Sequence, residues 1–317
     1  MTILSEPSTL PNLISRRNLI FELGFGSGDF IVYLKKKYSE ALVIGAEIAN
    51  KYFISALKKL VNLHASDYVL YRGDGRTLLY FFVPMKSVDA IYINFPDPWE
   101  KPSREERRLV SKRSIMIYYS RLKITGRLYV ATDSDPLKVY LRGVFDELGL
   151  QFIEFRSSPY DGFETKYARK WSNLRKQISY FIIKRGDDRG FGLQGEYVSY
   201  MPNFIFYLKN GFEHKMDQIS DTLPINLKEG DFFYKIDRVY RSKEGEFLFR
   251  VFHSEPFLSQ KYYILLRFHE GKAYMEIDDK NGLIISKWVM KTFKDLSTRV
   301  FEELGEEVIF QNFGSGE

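Results

Sequence analysis

The residues of this chain that could do chemistry cluster where apolar runs end in acids. The first run, Asn18 to Leu23, carries Glu22 and opens onto Gly24-Phe25-Gly26-Ser27-Gly28, after which Phe30 to Tyr38 has helical spacing. Glycine accepts positive φ and has no Cβ, so a loop of alternate glycines lets backbone N–H groups and a helix N-terminus approach a small ligand closely. A dinucleotide fingerprint places its third glycine three positions after the second; here that position holds Asp29, and Gly28 comes one residue early. A carboxylate at the loop mouth repels a pyrophosphate and attracts a cation. S-adenosylmethionine, with a sulfonium and an ammonium, therefore fits Glu22, Gly24, Gly26 and Gly28 better than a dinucleotide does. The simpler alternative is an ordinary glycine turn between strand and helix.

Acids recur at the ends of the following runs. Glu47 closes Ala41 to Ala46 and lies 19 residues after Gly28, close to the offset of about 20 at which an acid meets ribose hydroxyls in nucleotide-binding α/β folds. Asp74 follows Tyr68 to Tyr71, Asp133 follows Leu128 to Ala131, and Asp97 lies in Asn94-Phe95-Pro96-Asp97-Pro98-Trp99 after Val88 to Ile93. Two prolines there forbid continued strand pairing and fix a rigid turn. Open α/β sheets bind ligands outside the carboxyl ends of their strands, so five acids at such ends point to one site. The alternative is that acidic turn residues simply accumulate at strand ends.

Bringing these acids together requires a parallel sheet with crossover helices. Helical spacing recurs at residues 51 to 61, over 105 to 121 with a basic face, and from Pro136 to Leu148, with Asp135 read as N-cap, Pro136 at N1 and Gly149 as the stop. Phe152 to Phe155 and Ile178 to Ile183 complete about seven strands. The alternation predicts a Rossmann-like, seven-stranded doubly wound α/β domain over residues 1 to 200. Beyond it, Phe232 to Tyr240, Phe247 to His253, Lys261 to Phe268 and Lys272 to Ile277 alternate like antiparallel strands, with turns at Lys243-Glu244-Gly245 and Glu270-Gly271. Residues 284 to 303 read as one amphipathic helix. A smaller α+β domain is thus expected over 201 to 317, its aromatics forming core and its role unassigned.

With 317 residues and 44% hydrophobic content the chain can bury sizeable cores. The absence of cysteine excludes disulfides, thiolate catalysis and cysteine-based zinc sites, and His64, His214, His253 and His269 are scattered singly, so no metal site is expected. No apolar run has signal-peptide length or the roughly 18 residues of a membrane span; a soluble, cytoplasmic protein is expected. Residues 1 to 200 hold 31 Lys+Arg against 22 Asp+Glu, and residues 201 to 317 hold 16 against 19. The basic excess therefore belongs to the glycine-loop half, where it suits a polyanion such as nucleic acid, although a solvated basic face would look the same.

From Asn94-Phe95-Pro96-Asp97-Pro98-Trp99-Glu100-Lys101 to Arg107-Arg108 the chain resembles the bacterial tRNA (guanine-N7-)-methyltransferases, the TrmB family. Glu22 to Gly28, Ala131-Thr132-Asp133 and Thr165-Lys166-Tyr167 agree with it in order and spacing, so the similarity covers about residues 15 to 185. The resemblance implies a class I S-adenosylmethionine-dependent methyltransferase fold, S-adenosyl-L-methionine as donor, and a variable-loop guanine of tRNA (nucleotide position 46) as acceptor. It also implies Glu22, Glu47 and Asp74 as cofactor ligands near the methionine end, the ribose and the adenine. Asp97 would be the catalytic residue and face the cofactor too, while Lys101, Asp133, Thr165, Lys166, Tyr167 and Ala168 would hold the substrate. The chain departs from the family at Ala168, where a glutamate is usual, at Ser103-Arg104, where a basic-histidine pair is usual, and in its length beyond residue 200.

Guanine N7 carries a free lone pair, so attack on a sulfonium methyl needs positioning more than a base. The ring becomes cationic, and a carboxylate beside it, assigned to Asp97, stabilises that charge. Asp133 can accept from guanine N1–H and the exocyclic amine, and Lys101, Arg104, Arg107, Arg108 and Lys166 are expected to meet phosphates. Three rivals remain: an amino-group methyltransferase acting on adenine or glutamine, a non-catalytic RNA-binding subunit of the same fold, and a nicotinamide-dependent dehydrogenase. Asp97 between two prolines opposes the first, the intact acids the second, and Asp29 with Glu22 the third.

Overall fold

The computed structural model describes residues 2–15, 17–62, 67–212, 215, 225–278 and 282–313, so His64 and His214 lie outside the described residues. The chain forms two compact units, Met1–Gly195 and Glu196–Glu317; the sequence reading set the division between residues 200 and 201.

In the first unit β1 (Thr2–Leu4), α1 (Leu10–Ile14), β2 (Leu19–Leu23), α2 (Asp29–Lys37), β3 (Leu42–Glu47), α3 (Asn50–Asn62), β4 (Tyr68–Arg72), α4 (Gly75–Phe81), β5 (Val88–Asn94), α5 (Lys112–Arg121), β6 (Leu122–Thr132), α6 (Asp135–Glu147), β7 (Phe152–Phe155), α7 (Lys166–Asn173) and β8 (Ser179–Lys184) follow in turn. The strands build one sheet in the order β1-β4-β3-β2-β5-β6-β8-β7. β1 to β6 run parallel, and β8 runs antiparallel to both β6 and β7. All of Leu19–Leu23 is buried, as a strand covered by helices on both faces must be. The order reverses at β2, between β3 and β5, which opens a crevice beyond their carboxyl ends.

Three expectations are corrected. The sheet has eight strands rather than seven, because three residues at Thr2–Leu4 add to the edge of β4, too short a stretch for periodicity to reveal. The helix expected over 105 to 121 is broken: Pro102–Arg107 is a 3-10 turn, Arg108 is extended, and α5 starts only at Lys112, where the Ser111 hydroxyl accepts from Ser114 N–H. The cap of α6 is Ser134, whose hydroxyl accepts from Leu137 N–H, while Asp135 stands in the first turn. The unit's end is stapled by a buried arginine and a backbone bond. Arg121 donates to the carbonyls of Leu79 at 2.7 Å and Leu193 at 2.8 Å, and Gly195 N–H donates to Tyr80 at 2.9 Å. These bonds explain why the unit extends to Gly195.

The second unit holds β9 (Asn203–Leu208), β10 (Ile225–Glu229), β11 (Phe232–Arg241), β12 (Phe247–Glu255), β13 (Leu258–His269), β14 (Lys272–Ile277), α8 (Lys287–Leu304) and β15 (Gly305–Gln311). They form an antiparallel sheet in the order β10-β11-β12-β13-β14-β9-β15. Alternate residues such as Phe206, Ile236, Phe249 and Ile264 pack with Val289, Phe293 and Leu296 of α8 in one core. The turns at Gly245 and Gly271 have φ of 87° and 72°. No helix among the described residues is long and apolar enough to cross a membrane.

Candidate active site

The β2–α2 loop has all three glycines at positive φ: 74° at Gly24, 53° at Gly26 and 81° at Gly28. A Cβ on Gly28 would lie 2.6 Å from the Cβ of Ala56, so α3 closes that side, whereas one on Gly26 would meet nothing within 4 Å. The loop is propped from β3: Glu47 accepts from Gly26 N–H at 2.9 Å through Oε2 and from Ala49 N–H at 2.8 Å through Oε1. Asp29, in the place of a dinucleotide glycine, accepts from Lys59 at 2.6 Å and from the Ser27 hydroxyl at 2.7 Å. Burial raises its pKa, but the hydrogen bonds from Lys59 and Ser27 outweigh it and leave the carboxyl below its usual range.

Glu22 is different. It is 2% exposed, its Oε2 has no hydrogen-bond partner, and burial, with Glu47 and Asp29 adding like charge, pushes its carboxyl well above the ordinary value. Asn94, on the neighbouring strand, repeats the pattern with a donor: Oδ1 accepts from the buried Tyr160 hydroxyl at 2.8 Å, and Nδ2 has no partner. Glu22 stands opposite Tyr92 in the β2–β5 pairing, two residues before Asn94, so both side chains share one face of the sheet. An unmet carboxyl oxygen and an unmet amide donor thus lie on one face, diagonal to each other across β2 and β5 at the switch point, where burial makes each costly. Asp74 is already engaged: it caps α4 by accepting from Arg76 N–H at 2.9 Å and pairs with the Arg76 guanidinium at 2.6 Å.

Asp97 is exposed on a strained turn. Phe95 and Trp99 have φ of 53° and 40°, conformations that cost about 1–3 kcal/mol each in a non-glycine residue and persist only when held. Phe95 N–H donates to Ala131 at 2.8 Å, while Arg108 donates to the carbonyls of Pro98 at 2.9 Å and Trp99 at 3.2 Å. Arg108 is 8% exposed and lies 4.2 Å over the Tyr140 ring. The phosphate role expected of Arg108 is therefore corrected: its guanidinium is spent on the turn. Arg104 and Arg107 are exposed and lie 5.5 and 5.8 Å over Trp99, and Lys101 is exposed at the head of the 3-10 turn.

The remaining expected residues gather at α7. Thr165 is 8% exposed, and its hydroxyl accepts from the N–H of buried Ala168 at 3.0 Å, so this pair sets the helix and presents Lys166 and Tyr167 in its exposed first turn. Tyr167 lies 6.1 Å from the Phe95 ring, and its pKa is raised by a hydrogen bond with Tyr52, then by burial, Asp97 and Glu47. It thus brings the turn and the glycine-loop side together. Asp133 is half-buried and accepts from Lys176 at 2.9 Å, and Lys176 lies 4.0 Å over Trp171. Sequence reasoning missed Asn94, Tyr160, Arg76 and the clamping use of Arg108. Only Asn94 carried a signal, as a polar residue closing a buried run. Among the described residues no three His, Asp or Glu side chains are arranged to hold a metal ion.

A parallel sheet reversing at β2, a glycine loop beneath it and acids at the strand ends define a class I methyltransferase, the fold of S-adenosylmethionine-dependent enzymes. Residues 16–180 match the family model described as "Putative methyltransferase". Relatives narrow the family. The tRNA (guanine-N(7)-)-methyltransferase of Lactiplantibacillus plantarum is 33% identical over 160 residues, 49% of this chain and 74% of that one. The proteins of that name from Thermotoga maritima and Thermus thermophilus are each 28% identical, over 83% of both chains and over 96% of this chain and 95% of the relative. The chain belongs to the tRNA (guanine-N7-)-methyltransferase family and is a methyltransferase.

Proposed function

We propose that the protein transfers a methyl group from S-adenosyl-L-methionine to N7 of the variable-loop guanine of tRNA, nucleotide position 46, giving 7-methylguanosine. The observation that carries the donor is the pair of unmet buried groups, Glu22 Oε2 and Asn94 Nδ2, beside a loop that opens at Gly26; the acceptor rests on the relatives' activity. An amino-acid zwitterion offers the complementary set, an ammonium for Glu22 and a carboxylate for Asn94. Glu47 holds the ribose with the lone pairs left over from Gly26 and Ala49, and Asp74 sits at the adenine end. When bound, S-adenosylmethionine supplies the electrophilic methyl.

The protein's part is placement and charge. Guanine N7 needs no base, so Asp97, fixed by its clamped turn, serves to stabilise the positive charge that develops on the ring. Asp133 accepts from guanine N1–H and amine through lone pairs that Lys176 does not use. Lys101, Arg104, Arg107 and Lys166, all exposed, meet phosphates. Trp99 and Trp171, each lying beneath two cations, are surfaces on which a base could stack. Thr165 and Ala168 act by fixing α7. A cytoplasmic setting follows from this substrate.

The test is methyl transfer from labelled S-adenosylmethionine to unmodified tRNA, with nucleoside analysis of the product. The expected product is 7-methylguanosine, absent when the variable-loop guanine is replaced. A different methylated nucleoside would discard the acceptor and keep the donor; tRNA binding without transfer would refute the catalytic reading.

A further inference from the structure

Arg76, in the first turn of α4, joins the acid at the adenine end to the segment that carries the phosphate-facing cations. Its side chain is 12% exposed. Nε lies 3.1 and 3.0 Å from the two oxygens of Asp74, and Nη2 lies 2.6 Å from Asp74 Oδ2. Nη1 points the other way, donating to the carbonyls of Glu106 at 2.7 Å and Arg108 at 3.2 Å. These carbonyls stand where the 3-10 turn gives way to extended chain; that of Arg108 also accepts from Ser111 N–H at 3.2 Å. Arg108 in turn spans back to Pro98 and Trp99 on either side of the bond that follows Asp97's neighbour. A second tether, from the Tyr118 hydroxyl to Leu109 O at 2.6 Å, secures the far end of the segment. Only a planar guanidinium can engage a carboxylate edge-on and two carbonyls at once; an ammonium on a shorter reach cannot.

We propose that Arg76 is a positioning residue that locks the Lys101–Arg108 segment against the cofactor side of the site, so that Lys101, Arg104 and Arg107 meet nucleic acid in one fixed arrangement. The proposal rests on the tRNA reading above. Arg76 directs Nε, Nη1 and Nη2 at groups of this chain, so its effect on nucleic acid passes through the segment rather than through a phosphate contact.

Arg76→Lys keeps a cation beside Asp74 but surrenders the fork. Affinity for S-adenosylhomocysteine should stay near the parent value, and the melting temperature should fall by a few degrees as the carbonyls of Glu106 and Arg108 lose a donor. Amide hydrogen exchange across residues 101 to 108 should accelerate, tRNA affinity should fall by roughly tenfold, and the plot of log affinity against log salt should become shallower by about one phosphate contact. A residue with a merely structural role leaves that slope alone. Arg76→Gln, which keeps a shorter planar donor, is the second variant should the first fail to fold. Parent-like exchange over 101 to 108, or a parent-like salt slope, in a variant that still melts cooperatively overturns the proposal. If the parent protein itself fails to methylate tRNA, the acceptor reading falls, and the exchange measurement alone then decides the role of Arg76.

Discussion

Replacing Glu22 by glutamine should make the ligand-free protein more stable and the loaded one weaker, opposite signs that follow from the same buried oxygen. Burial, assisted by Glu47 and Asp29, raises the Glu22 carboxyl well above its ordinary 4.5. Between 4.5 and the raised folded value the native state holds a proton that the unfolded chain has released. Stability therefore falls as pH rises above 4.5 through that window. Each unit of the shift is worth about 1.4 kcal/mol, and Glu22→Gln, which keeps the shape without the charge, should recover it as a higher melting temperature at pH 7. A cationic ligand binds the ionised carboxylate, so the parent should bind S-adenosylmethionine more weakly at pH below the raised value and should release a proton on binding near it. Losing one charge-assisted hydrogen bond costs about 1.5–3 kcal/mol, so the variant should bind roughly 10- to 150-fold more weakly. Calorimetry in two buffers of different ionisation enthalpy reads both affinity and proton release, and the variant should release none at this site. Parent-like affinity in Glu22→Gln, or a melting temperature at pH 7 that drops, would refute the argument that this oxygen awaits a cation.

Other perturbations separate chemistry from scaffolding. Asp97→Asn should retain cofactor affinity and lose roughly 10²- to 10³-fold in kcat; single-turnover transfer near the parent rate would remove Asp97 from its role. Arg108→Lys should release the carbonyls of Pro98 and Trp99 and cost about 1–3 kcal/mol, seen as a melting temperature lower by roughly 2–4 °C per kcal/mol, with unchanged salt dependence of tRNA affinity; a shallower salt slope without loss of stability would restore it as a phosphate ligand. A chain ending at Gly195 should fold and bind S-adenosylhomocysteine, because the carbonyls held by buried Arg121 (Leu79, Leu193) and buried Arg185 (Ser120, Leu122) and the first unit's core all lie before residue 196. Failure to melt cooperatively would show that this unit depends on the second.

What could be read from the sequence divides along physical lines. Central strands such as Leu19–Leu23 are buried on both faces and therefore appear as unbroken apolar runs, and the acids at their ends were found by that route. Short elements lack a period: α4 has seven residues and starts at a glycine, β1 has three, and neither shows in the sequence pattern. The amphipathic pattern across 105 to 121 was present but misassigned, because Ser111 offers a side-chain cap that restarts the helix and Arg108 must stay extended to reach Pro98. In the second unit the interior strands β11 to β14 alternate visibly, whereas β10 and β15 lie at the sheet's edges, and on β15 every residue after Gly305 is exposed. On β10 only Ile225 and Leu227 face the core, too few to mark a strand, and β15 has no buried face beyond Gly305.

The candidate site shows why residue type alone misjudges role. Five acids stand at strand ends, yet two are already committed within the described residues: Glu47 to the amides of Gly26 and Ala49, and Asp74 to Arg76. A third, Asp133, is paired with Lys176. Glu22 differs from all three in holding a buried oxygen that meets nothing, and its match in kind is Asn94, a neutral side chain that no count of acids could flag. The tie that fixes Asn94 comes from Tyr160, 66 residues further on, and the one that fixes the Asp97 turn comes from Arg108. An acid's position at a strand end is thus local information, legible in sequence. How much of that acid is spent on the scaffold and how much is left for a ligand is decided by partners that only the folded chain brings near.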